Sequence, residues 1–373
     1  MSQAYDLAVV GAGIVGLAHA LAAARRGLRV AVFDRDAQAN GASVRNFGFI
    51  TVTGQQRGEC WRRAMRSRDI WAEIAPKADI AIEHRGLVVA ARRPEAAQVL
   101  EAFMATEMGE RCRLLSAHQG RATYSFLQGD LSAVLVSPHE LRVESRVAIP
   151  QLANWLKNAL DVTLHYQTAV TAVGTKSIES TLGPVSAGAI VVAPGDDFRT
   201  LYSGPLAAYS LTRCKLHMLR VMDRRLAQLE VAVMSDLSLV RYLGYAELAP
   251  AAGLMARLQR ERAVPLANGV HLIVVRSADR SLVVGDSHEY AATPDPFAPQ
   301  SIDDLILAEY GAVFGGPPES VKERWIGTYA SATGRLMLVD RPADRVRIVI
   351  VTSGTGASTA FAIGEEVVGE LFD

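Results

Sequence analysis

The residues of this chain whose types and spacing suit chemistry fall into two glycine-rich stretches and a few polar side chains. The first stretch is Gly11-Ala12-Gly13-Ile14-Val15-Gly16. Here Gly11 allows a tight turn, Gly13 lets the backbone approach a pyrophosphate, and Gly16 lets a helix pack closely on the preceding strand. The helix start, with Ile14 and Val15, adds free N–H groups and a partial positive charge. Asp34 lies 23 residues beyond Gly11, close to the spacing at which a carboxylate accepts hydrogen bonds from a ribose hydroxyl. A carboxylate there repels a 2′-phosphate, which disfavours NADP. Ser353-Gly354-Thr355-Gly356-Ala357-Ser358 is the second glycine turn. Between the two lie candidate substrate contacts: Arg45, Lys215, His217, His288 and Tyr329.

These residues need a scaffold, and the local patterns supply one. DLAVV (6–10) reads as a short buried strand, residues 17–26 as a helix and LRVAVF (28–33) as a second strand ending at Asp34. Strand, glycine turn, helix, strand and terminal acid together form a dinucleotide-binding unit. The polar loop GASVRNFGF (41–49) follows, with residues small enough for a flat ring system to lie against its backbone. IPQLANWLKNAL (149–160) is an amphipathic helix, and AIVVAPG (189–195) is a buried strand ending in a Pro-Gly turn. From 211 to 285 the strand-like runs KLHMLRV, HLIVVRS and SLVVGD suit a mainly antiparallel sheet. VRIVIVT (346–352) then leads into the second glycine turn and a helix running to Leu371. An isoalloxazine ring attached to ADP can use such a second, C-terminal strand-turn-helix, so FAD is favoured over NAD. The fold expected is α/β: a Rossmann-type FAD-binding domain from residues 1–82, 139–205 and 320–373, with a second, mainly antiparallel β-sheet substrate domain from 83–138 and 206–319.

Composition sets broad bounds. The chain has 373 residues, half of them hydrophobic, and 39 basic residues balance 39 acidic ones. Such a chain has no general field for nucleic acid or an anionic membrane. The basic run from Cys60 to Arg68 has the spacing of a solvated helix face. Cys60, Cys112 and Cys214 are isolated and lack metal-ligand spacing, so neither disulfides nor a metal site is expected, and a cytoplasmic location follows. No apolar run approaches the ~20 residues of a membrane span.

The pattern as a whole resembles the D-amino-acid oxidase family of flavoproteins, which includes glycine oxidase and sarcosine oxidase. GAGIVG with Asp34, the GASVRNFGF loop, VVAPG, GTYASATGR and TSGTGAS carry the resemblance across nearly the whole chain. SVRNFGF, CKLHML, GDSHEY and GTYAS look most like a bacterial subgroup associated with breakdown of 2-aminoethylphosphonate or its N-methyl derivative. The resemblance implies that Gly11, Gly13 and Gly16 bind the FAD pyrophosphate, Asp34 the ribose, and Val170 the adenine edge. Ser43, Arg45, Asn46, Phe47 and Gly48 would line the flavin, and Gly354, Gly356, Ala357 and Ser358 would meet its pyrimidine carbonyls. Arg35, Ala193 and Gly195 complete the expected cofactor shell. Family members that tether FAD do so through a late cysteine; none follows Cys214, so non-covalent FAD is implied.

One departure bears on the substrate. Glycine oxidase and D-amino-acid oxidase usually carry an arginine that forks the substrate carboxylate, and here Tyr329-Ala330 stands where Arg-Pro is expected. Either another cation, such as Arg45, Lys215 or Arg335, holds an anion from a different direction, or the substrate has no α-carboxylate. Lys215 and His217, two apart, share one face of a strand, either a cavity wall suited to a phosphonate or ordinary surface. His288 could face the flavin or sit on a surface turn, and Tyr329 could contact substrate or belong to the core. The reaction implied is oxidation of a small amine, with oxygen or another electron acceptor as partner, in a monomer or homodimer. An FAD-dependent 2-hydroxy-acid dehydrogenase and a non-catalytic flavin-binding subunit are the alternatives.

Overall fold

In the computed structural model, which describes residues 5–373, two sheets carry the molecule. The first is built on Tyr5–Val10, with Leu7 and Val9 buried in the core on one face and Ala8 in the core on the other, as a central parallel strand requires. Val30–Phe33 and then Thr163–His165 add in parallel on one side of it. Gly183–Val192 and then Val346–Val351 add in parallel on the other, and Met337–Ala343 closes that edge antiparallel. Strand pairing thus brings residue 10 and residue 351 into one sheet, with both glycine turns at the carboxyl ends of its strands, where open α/β sheets bind ligands.

The two helices that leave those turns, Ile14–Ala24 and Gly356–Phe372, pack against each other. Their closest approach is at Gly364, where a Cβ would lie 2.8 Å from the Ala18 carbonyl oxygen. Leu17, Leu21, Phe361 and Val368 are buried in the same core as Trp71 and Ile74 of the Glu59–Ile74 helix. That helix carries the basic run. On that exposed face Arg63 pairs with Glu366 at 2.9 Å and Arg66 with Glu365 at 2.7 Å, both on the C-terminal helix.

The second sheet, of ten strands among the described residues, is antiparallel except where Ala232–Ser235 runs parallel to Ile82–Ala91. It takes more of the chain than expected. Ala133–Val143 runs through residue 139, Ser320–Ser331 pairs along Thr212–Met222, and Phe49–Ile50 also belongs to this sheet. The boundaries expected at 139 and 320 therefore fall inside or at the edge of strands of the larger sheet. Cores lie on both of its faces: Met218, Met234, Phe103 and Tyr245 on one, and Leu219, Val233, Tyr310 and Phe314, the last two from the Gln300–Phe314 helix, on the other.

Candidate active site

The glycine turns have the shape a diphosphate needs. Gly11 has φ +105°, and a Cβ on it would strike the Ala193 carbonyl, while one on Gly16 would strike the Gly11 carbonyl. Only glycine permits this approach of strand, turn and helix. Asp34 accepts the Ala12 N–H at 2.7 Å through Oδ2 and the Asp36 N–H at 2.9 Å through Oδ1, so the carboxylate at the end of the second strand also braces the turn. Ser43 accepts the Ile14 N–H at 2.9 Å and would meet a Cβ on Gly13.

A cavity of about 620 Å³ opens from this turn and runs to the second sheet. Ile14, Val15, Ser43, Arg45, Asn46, Phe47 and Gly195 line one part of it. Gly354, Gly356, Ala357 and Ser358 line the part beside the C-terminal helix. Ser358 Oγ accepts the Thr51 N–H at 2.9 Å, and the Trp71 indole donates to the Ala357 carbonyl at 2.8 Å, holding that helix start in place. Arg45 reaches Asn40 Oδ1 at 3.2 Å. These backbone cradles, the helix starts and the open cavity fit an FAD diphosphate and ring system.

Other expected cofactor residues lie off the wall. Gly48 is absent from the lining because it packs on the next strand: its N–H donates to Asn46 Oδ1 at 2.6 Å, and a Cβ would collide with the Val143 carbonyl. Arg35 is exposed and paired with Asp197 at 2.7 Å. Val170 is buried in the small antiparallel ribbon with Ser177–Ser180. Ala193 supports Gly11 from beneath.

The candidate substrate contacts separate cleanly. Tyr329 and His288 line the cavity, with ring centroids 6.5 Å apart. Lys215 and His217 do not. On Thr212–Met222 the even positions Cys214, Leu216 and Met218 face the cavity side, and strand alternation turns Lys215 and His217 to the opposite face. There Lys215 pairs with Glu289 at 2.7 Å, and His217 meets Asp303 of the Gln300–Phe314 helix at 3.1 Å. They are structural pairs, not cavity cations. Arg335 reaches the rim and stacks on Tyr209, 5.3 Å from its ring centroid.

The cavity holds another cation instead. Arg241 follows the short helix Asp236–Val240, lines the wall and donates to the Tyr290 hydroxyl at 2.9 Å. Burial works against its charge, but its neighbours, the Tyr290 hydroxyl and the Asp286 carboxylate among them, outweigh burial and raise its pKa. Asp286 and His271 stand beside it, both buried. Burial acts to raise the Asp286 carboxyl, yet His288, His271 and Arg241 hold it below the ordinary value. Burial pushes His288 down to about 3 and Tyr329 well above 10, so both are neutral near pH 7. Asp286 and Tyr290 flank His288 within GDSHEY, but Arg241 lies in a turn and His271 heads the HLIVVRS run, and neither belongs to a motif.

The comparisons agree with this geometry. A family model described as FAD dependent oxidoreductase, DAO, matches residues 6–369. No curated protein matches the sequence. Among solved structures, glycine oxidase from Bacillus cereus ATCC 14579 aligns with a TM-score of 0.77 at 16% identity, covering 98% of this chain and 94% of that one. L-proline dehydrogenase from P. horikoshii aligns with a TM-score of 0.80 at 16% identity, over 100% and 94%. L-alpha-glycerophosphate oxidase from Mycoplasma pneumoniae, with FAD bound, aligns with a TM-score of 0.74 at 15% identity, over 99% and 95%. With two glycine turns meeting at one cavity and a match along nearly all its length, the chain belongs to the DAO family of FAD-dependent oxidoreductases.

Proposed function

We propose that the substrate is a small amine bearing a phosphonate, such as 2-aminoethylphosphonate or its N-methyl derivative, and that the flavin is held without a covalent bond. The observation carrying this reading is the placement of cavity charge: Tyr329, which the family resemblance puts at the position of a carboxylate-forking arginine, lines the cavity as a neutral group, and Arg241, bonded to Tyr290, lines it as a cation. An anion held there can sit further from the nitrogen than a carboxylate on the same carbon.

The roles of the side chains follow from their protonation. Arg241 and the Tyr290 hydroxyl bind the anionic group. Tyr329, kept neutral by burial, donates a hydrogen bond at the cavity wall. Since a carbonyl only accepts, the 3.0 Å contact of His288 Nδ1 with the Gly269 carbonyl places the ring proton on Nδ1 and leaves Nε2 with a lone pair. When bound, FAD supplies acceptance of a hydride equivalent from the carbon bearing the nitrogen, and water hydrolyses the released imine to a carbonyl compound and an amine or ammonia. Cys60, Cys112 and Cys214 are buried, which pushes each thiol up to about 11, and none lines the cavity. None is a nucleophile placed to tether a ring.

Anaerobic bleaching of the flavin by a matched panel tests the substrate. Aminophosphonates should reduce it faster than glycine, sarcosine, D-alanine or 2-hydroxy acids. Equal or faster reduction by an α-amino acid overturns the phosphonate reading, and reduction by hydroxy acids alone makes the protein a hydroxy-acid dehydrogenase. Acid precipitation should release all the FAD, and flavin remaining with the polypeptide contradicts non-covalent binding.

A further inference from the structure

We propose that His271, Asp286 and His288 form a binding site for one divalent transition-metal ion in the wall of the substrate cavity. Cysteine spacing alone led to the expectation of no metal, and it could not reveal this cluster, whose members meet only through folding. One potential ligand atom from each residue lies within 4.8 Å of the other two, and all three residues are buried and line the cavity. Two imidazoles and one carboxylate with an open side is a donor set suited to Zn²⁺ or Fe²⁺.

The hydrogen bonds around the cluster make the case more specific. A metal-binding histidine commonly donates its other ring N–H to a fixed acceptor, which sets the tautomer. His288 Nδ1 donates to the Gly269 carbonyl. His271 Nδ1 lies 3.1 Å from Ser238 Oγ, whose own hydroxyl donates to the Leu272 carbonyl at 3.2 Å. With that hydroxyl turned to the Leu272 carbonyl, Ser238 is free to accept from His271 Nδ1, an arrangement that leaves Nε2 as the ligand atom facing the cluster. That nitrogen sits 2.8 Å from Asp286 Oδ1, an oxygen left without an aligned hydrogen bond although buried. Either the imidazole's own proton or a bound cation satisfies this nitrogen and this oxygen together. Metal bonds of about 2.0–2.2 Å at tetrahedral angles set donors about 3.4 Å apart, so His271 Nε2 and Asp286 Oδ1 part slightly on binding while the more widely spaced donors draw in.

Charge balance supplies a use for the ion, and this part alone rests on the phosphonate reading. Asp286 offsets part of the Arg241 charge on the wall they share, so Arg241 holds a dianion less strongly than it would without that carboxylate. A divalent ion would give the wall two positive charges and an open coordination position for a phosphonate oxygen.

The test uses the FAD holoenzyme, stripped with EDTA and titrated with Zn²⁺ against a chromophoric chelator. Wild type should bind one Zn²⁺ per chain. His271→Gln and Asp286→Asn should bind it at least tenfold more weakly, and Ser238→Ala roughly tenfold more weakly through loss of its hold on His271. Flavin loading and thermal unfolding report whether each variant is folded. If Asp286→Asn is not, the other two decide. No Zn²⁺ bound by wild type, or affinity unchanged in the folded ligand variants, means that a proton occupies the cluster and overturns the proposal. Reduction by 2-aminoethylphosphonate is followed in parallel with stripped and Zn²⁺-loaded enzyme. Zinc binding without reduction by any aminophosphonate retires the substrate reading but leaves the metal site, whereas reduction by an enzyme that binds no zinc does the reverse.

Discussion

On the proposed reading, substrate choice turns on Arg241, whose guanidinium lines the cavity, and Arg241→Met leaves its size and removes its charge-assisted bonds. Loss of such an anchor costs about 1.5–3 kcal/mol, roughly ten- to a hundredfold in affinity. The expected result is a KM for the best anionic amine raised by that factor, with flavin content unchanged. An unchanged KM would mean the anion is held elsewhere. Lys215→Met gives the opposite expectation, because Lys215 reaches Glu289 and the Asp295 and Phe297 carbonyls on the far face of its strand. Steady-state kinetics of that variant should match wild type. Asp34 accepts the Ala12 N–H, and on the proposed reading it also holds the ribose. Asp34→Ala should weaken FAD binding by about 1–3 kcal/mol, read as a raised dissociation constant in flavin titrations.

The contact between the first and last helices joins the two ends of the cofactor site. Gly364 lies against the Ala18 backbone, and a methyl group 2.8 Å from a carbonyl oxygen cannot be relieved by rotating a side chain. Gly364→Ala should destabilise the protein by about 1–3 kcal/mol, the usual range for overpacking. It should also weaken FAD binding, because pushing the helices apart separates the turns at 11–16 and 353–358. Urea unfolding of the apoprotein and flavin titration measure the two effects separately. Stability lost with FAD affinity intact would show that the turns are positioned by their strands and not by the helix pair.

For the whole molecule, acid sensitivity follows from histidines buried neutral. His19 is fully buried in the first helix, away from the cavity lining, and burial lowers it to about 4 from 6.5. Its folded pKa lies below its unfolded value, so the unfolded chain binds the extra proton between those values. Stability therefore falls as pH drops from about 6.5 towards 4 and is level above that window. Between pH 7 and 5 this one group accounts for about 2 kcal/mol. His19→Leu should reduce the loss in unfolding free energy between those two pH values by about that amount. An unaltered pH dependence would mean that His19 does not titrate on unfolding. No helix among the described residues is long and apolar enough to cross a membrane.

Local rules were enough for the two glycine turns, the strands leading into them and Asp34. A φ near +105°, a backbone collision or a terminal carboxylate restricts residue type position by position, so the pattern survives in one dimension. The second sheet was recognisable as mainly antiparallel for the same reason, through alternation. Its extent was not, because the pairing of Ser320–Ser331 with Thr212–Met222 joins segments about a hundred residues apart. The substrate wall was still less accessible. Lys215 and His217 were correctly placed on one strand face, but which face met the cavity depended on the helix at 300–314 covering the other. Arg241, His271 and Asp286 come from separate segments with no shared spacing, and their meeting on one cavity wall is what sets their chemistry. Sequence records the restrictions on a single backbone segment; proximity and desolvation among distant side chains arise only when the sheets and helices have packed.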